Sequence, residues 1–228
     1  MRSVPHSCRA RLQRRDFRFI AQVLTGVQSG DKNMDALIRL TRDEEALTQV
    51  LDDPQLLNSI LTVGGAISIS AELYFYVLVR HGLIEAGIDH PNLTDYVAST
   101  LAEYSKGNPL KPETGEKFED ATYYVDFFKA MSSANSHDRF FLEVRCGNQF
   151  LMLSGLFPKF LKRRETRRGA PGIAYYESVA SASFRHAAEH PLAGEFAVNE
   201  IYPLLAELMP QTRKALNRLG SEYLFLDA

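Results

Sequence analysis

Apolar residues recur at intervals of three and four along almost the whole chain, the spacing of one helix face rather than the alternation of a strand. Phe17, Ile20, Val23, Leu24 and Val27 form a first stripe, with Asp16 placed to cap a helix starting at Phe17. Leu37, Leu40, Leu47, Val50 and Leu51 continue the pattern across two short helices. Asp53-Pro54 reads as an N-cap followed by proline at the first helical position, which opens the next helix at Gln55. Residues 59–79 form an apolar run near membrane-spanning length, but Gly64-Gly65, several hydroxyls and Glu72 interrupt it. A charge at mid-membrane costs about 3 kcal/mol or more. The run therefore predicts a helix buried at the centre of a globule, around residues 65–80, and not an integral membrane protein.

Asn92 and Asp95 mark the opening of a helix running through Tyr104, and the Gly- and Pro-containing stretch 106–117 reads as a loop. Tyr123, Tyr124, Phe127, Phe128 and Met131 form the next stripe; Ser136 then restarts a helix holding Phe140, Phe141, Val144, Phe150, Leu151, Leu153 and Leu156. Pro158 should end or kink that helix, Gly169-Ala-Pro-Gly172 should turn the chain, and a helix over 173–190 should stop before Pro191. Pro203 and Pro210 punctuate a tail of short helices. Together these elements predict an all-α fold: a single-domain orthogonal helical bundle over 16–228, preceded by a disordered basic arm over 1–15.

Length and composition support an ordinary globule. A chain of 228 residues, 45% hydrophobic and 24% charged, can build a core without a disulfide or metal staple. Cys8 and Cys146 are far apart and belong to no zinc-like spacing, so no metal and no cofactor is expected and a cytoplasmic location is the default.

Charge adds more. Residues 1–18 hold six Arg against Asp16, and residues 159–168 hold six Lys or Arg against Glu165. Each segment carries +5, which leaves −12 on the remainder of a chain whose net charge is −2. That balance argues against a general polyanion binder and for one localised patch: Lys159, Lys162, Arg163, Arg164, Arg167 and Arg168.

Two resemblances follow from particular residues. Leu73-Tyr-Phe-Tyr-Val-Leu-Val-Arg-His81 with Asp95-Tyr-Val-Ala98, and Gly155-Leu-Phe-Pro158 with Arg167-Arg-Gly-Ala-Pro-Gly172 and Tyr175-Tyr176, resemble a family of uncharacterised bacterial helical proteins. That likeness implies a helical fold and no particular activity. Arg185-His186-Ala-Ala-Glu-His190 resembles the motif of HEPN-type ribonucleases. It implies a metal-independent endoribonuclease in which Arg185 neutralises the scissile phosphate and His190 exchanges a proton with the ribose hydroxyl. Five residues of separation set the two about 140° apart around one helix.

Glu72 is the remaining chemical question, since a carboxylate in an apolar run must be paired, protonated or exposed at a cleft. Arg80-His81 on the same helix and Arg145 elsewhere are its expected partners. The leading expectation is a non-catalytic interaction or regulatory protein working through the basic patch and the 173–190 helix. Its partner is expected to be another protein, with RNA at the patch or a homodimer as further options; the alternative is the HEPN-like ribonuclease.

Overall fold

A computed structural model describes residues 7–26, 43–62, 69–107 and 124–224, and every regular element among them is helical. The fold is all-α. Val27, Leu37, Leu40, Gly64-Gly65, Tyr123 and the loop beyond residue 107 lie outside the described residues. The chain divides into two compact units, Ser7–Ser105 and the residues from Lys106 onward.

Among its described residues the first unit contains a 3-10 turn, Arg9–Arg11, and five helices: α1 Arg14–Thr25, α2 Glu44–Leu51, α3 Pro54–Thr62, α4 Ala71–Glu85 and α5 Pro91–Ser105. α4 packs along α5 and against α3 and the 3-10 turn, while α1 lies on α3. Leu73, Val77, Leu78 and Val79 of α4 are buried, as is every residue of α5 from Leu93 to Ala102. α4 ends in a Schellman arrangement: Ile88 N–H bonds the Leu83 carbonyl at 2.8 Å and Gly87 N–H the Ile84 carbonyl at 2.9 Å. Gly87 takes φ +80°, a conformation that favours glycine.

Three expectations change in this unit. The 59–79 run is not one helix: α3 closes at Thr62 and α4 starts at Ala71, where Ser70 Oγ accepts the Leu73 N–H at 3.2 Å. The buried helix expected around residues 65–80 is α4, over 71–85. α1 starts at Arg14 and not at Phe17; Asp16 is its third residue and closes a capping box by accepting the Gln13 N–H at 2.7 Å. The part of the expected disordered arm that is described, from Ser7 onward, is folded: Cys8 is fully buried and Arg9 ties the turn down. A basic composition suggested a disordered arm, but Arg9 and Arg11 have carboxylate partners far along the chain, Asp95 and Glu103.

The second unit holds α6 Tyr124–Ser133, α7 Ser136–Leu156, α8 Pro158–Arg168, α9 Ile173–Ala188, α10 Leu192–Glu195, α11 Ile201–Glu207 and α12 Met209–Glu222. α7 is its hub, packed against α6, α8, α9 and α12. Its apolar residues are buried almost end to end, and two glycines let neighbours approach closely. A Cβ at Gly147 would meet the Phe184 ring at 3.0 Å, and one at Gly155 would meet Leu216 Cβ at 2.8 Å. Asn135 caps α7 by accepting the Asp138 N–H at 2.8 Å. Pro158 breaks the apolar run as expected, with α7 ending at Leu156 and α8 beginning at the proline.

No helix among the described residues is long and apolar enough to cross a membrane. Both cysteines are buried, and burial pushes each thiol up to about 12, so both stay protonated near neutral pH.

Candidate functional site

The basic patch is one short helix with a defined outside. Proline has no N–H to lose at the first helical position, so Pro158 starts α8, and Gly169 ends it in the left-handed region at φ 59°. Leu161 is fully buried and fixes which face turns inward. At about 100° per residue, Lys162, Lys159, Arg163 and Arg167 then fall within about 140° of arc on the opposite face. All four are exposed. The one acid of the helix, Glu165, is exposed outside that arc, its carboxylate so close to Gly172 that a Cβ there would meet Oε1 at 2.7 Å.

The other two cations of the patch behave differently. Arg164 is half-buried, its guanidinium 5.5 Å from the centroid of the Phe160 ring, close enough for a cation–π contact. Arg168 is exposed in the last turn, where with Arg167 it complements the negative end of the helix dipole. Six cations in sequence thus become a four-cation outward face, one stacked arginine and one helix-end arginine.

Arg185 and His190 have separate surroundings. Arg185 is exposed in the last turn of α9, which ends at Ala188, two residues short of the expected end. His190 lies beyond the helix in a turn. Its Nδ1 accepts the Leu192 N–H at 3.2 Å, which places the proton of a neutral ring on Nε2, 2.9 Å from Ser136 Oγ. Its ring packs 5.3 Å from that of Phe140. Nε2 thus joins this turn to the first turn of α7, while Nδ1 is engaged within the turn itself.

Sequence reasoning overlooked an acid beside His186, the residue after Arg185. Glu143 of α7 is only 5% exposed; its Oε1 lies 3.3 Å from His186 Nδ1 and 4.0 Å from Arg139 Nε. The available signal was a carboxylate one turn from Arg139 on the face that also carries Phe140 and Val144.

Glu72 is buried, 5% exposed, as a carboxylate in an apolar run requires a reason to be. It sits in the first turn of α4, where the positive end of the helix dipole favours it, and its charge acts on the Arg11 guanidinium. Arg80, expected as its partner, instead clamps Asp52 with Nε and NH2 at 2.8 Å each and reaches Asp89 at 2.7 Å.

A second buried pair lies in the same unit. Arg9 Nε bonds Asp95 Oδ2 at 2.6 Å, its backbone N–H bonds Oδ1 at 3.0 Å, and its other nitrogens reach Thr48 and Asn92 at 2.7 and 2.9 Å. Burial raises the Asp95 carboxyl above its ordinary value even with Arg9 beside it. Tyr76, its ring centroid 5.9 Å from that guanidinium, is fully buried, and its hydroxyl has no hydrogen-bond partner among the described residues. Burial raises that phenol too.

His81 gives this unit a pH signature. Burial lowers its pKa below 6.5, outweighing the nearby Asp52 and Glu85. The folded state therefore resists the proton that the unfolded chain accepts, so the stability tied to the neutral ring is intact above 6.5 and lost as pH falls through 6.5 to the folded value. Urea titrations at descending pH should show the midpoint of the Ser7–Ser105 unit falling in that window, and His81→Gln should flatten the fall.

Among the described residues no group of three or more His, Cys, Asp or Glu side chains is placed to hold a metal ion. No protein-family model, curated protein or solved structure matches the chain.

Proposed function

We propose that the protein is a non-catalytic interaction protein that docks through the outward face of α8 onto an anionic partner surface. One observation carries this reading: Lys159, Lys162, Arg163 and Arg167 are exposed together on the side of α8 opposite its buried anchor Leu161, with the helix's lone acid outside their arc. A cationic helix face of this kind attracts an anionic surface. The committed ring nitrogens of His190 favour this reading over a ribonuclease. The reading places the protein in the cytoplasm, where two buried thiols need no oxidised partner.

Retention of the full chain on immobilised polyglutamate, eluted by salt, tests it. Replacing Lys159, Lys162, Arg163 and Arg167 together by Glu should abolish retention, whereas reversing the helix-end Arg168 alone should change it little. Unchanged retention in the fourfold variant rejects the reading. Cleavage of RNA by the wild-type chain that disappears in His190→Ala would put the ribonuclease in its place.

A further inference from the structure

Two apolar side chains at the start of the same helix are left in water. Phe157 at the N-cap of α8 and Phe160 in its first turn are each 40% exposed. An acidic peptide laid on the cations would neutralise them and gain nothing from two rings on the flank of a convex helix. A nucleic acid would use an aromatic ring by stacking a base on its face, but one face of Phe160 already carries the Arg164 guanidinium at 5.5 Å, and no second aromatic ring of α8 continues a stack. A lipid headgroup layer accepts both features at once. Lys and Arg meet the acidic headgroups while Phe side chains enter the boundary with the acyl chains.

We infer that the partner of α8 is the surface of an anionic lipid bilayer, with Lys159, Lys162, Arg163 and Arg167 against the headgroups and Phe157 and Phe160 inserted at their edge. This rests on the docking role proposed for α8 and narrows its occupant. Each Lys or Arg near such a surface contributes about a fivefold gain in affinity, so four of them act together as a strong but salt-sensitive anchor. The negative cytoplasmic leaflet is where a chain of this kind would meet it.

The test uses the full chain and vesicles of phosphatidylcholine with phosphatidylserine, two to one, against vesicles of phosphatidylcholine alone. The protein should co-sediment with the mixed vesicles only, and high salt should release it. The fourfold Glu variant, its fold checked by circular dichroism, should lose at least about a hundredfold in affinity. Phe157→Ser with Phe160→Ser should keep the salt dependence but bind several-fold more weakly. The chain has no tryptophan, so Phe160→Trp supplies a single indole whose emission should shift to the blue on the mixed vesicles and stay unshifted with polyglutamate. Polyglutamate retention that depends on the four cations, without binding to mixed vesicles, overturns the lipid assignment and leaves the docking role standing. Vesicle binding indifferent to the four reversals overturns the lipid assignment as well. Polyglutamate retention indifferent to them removes the docking role itself.

Discussion

Asp95→Ala should destabilise the Ser7–Ser105 unit by about 3–5 kcal/mol, among the largest losses expected from any single substitution in the chain. Asp95 and Arg9 are both withdrawn from water, their side chains 3% and 9% exposed, and the carboxylate holds the guanidinium at 2.6 Å and the Arg9 N–H at 3.0 Å. Without it, Thr48 and Asn92 still accept from the guanidinium, but its charge remains buried with no counter-charge within hydrogen-bonding reach. The pair itself adds little net stability, because withdrawing both charges from water offsets much of their attraction: burial lifts the Asp95 carboxyl despite its partner, while Asp95 raises the Arg9 guanidinium despite burial. Replacing both residues by apolar ones, Arg9→Met with Asp95→Leu, should therefore recover most of the loss. Urea unfolding followed by amide exchange in residues 7–105 measures both. A single variant that loses under about 1 kcal/mol would show that the 3-10 turn is not held by this pair.

The helices were legible because their signals are local. Leu161 among cations, Pro158 at a helix start and Gly169 at a helix end act within one or two turns, and the periodicity around them leaves little choice of structure. Where the fold departed from expectation, the cause lay far along the chain. Arg9 is folded because of an aspartate 86 residues away, and α4 begins at Ala71 because Ser70 is held by Asp16 across 54 residues. The same holds for the candidate chemistry. His190 reads as an available base in the sequence, and only its contact with Ser136, 54 residues earlier, shows how its ring is used. The charge of α8 was legible and its division was not, since composition counts six cations alike while helix geometry separates the four outward ones from Arg164 and Arg168. Glu143 carried too little local signal, because one Glu among Phe and Val is common on half-buried helices.

Asp16→Ala should cost about 3 kcal/mol or more, well beyond the loss of a helix cap, because this carboxylate fastens two helices at once. Its Oδ2 accepts the Gln13 N–H at 2.7 Å, which starts α1, and the Ser70 hydroxyl at 2.8 Å. Its Oδ1 accepts the Ser70 N–H at 2.7 Å, and Ser70 in turn caps α4. Alanine leaves three donors at a buried site without an acceptor, each costing about 1–3 kcal/mol when unsatisfied. Capping of α1 alone would account for only about 1 kcal/mol. Asparagine should restore part of the loss, since it keeps one accepting oxygen but turns an NH2 group toward a remaining donor. In amide exchange the first turns of α1 and α4 should lose protection together, which a simple cap would not produce. Protection lost in α1 alone, with a cost near 1 kcal/mol, would mean that Asp16 does not couple the two helices and that the start of α4 at Ala71 has another cause.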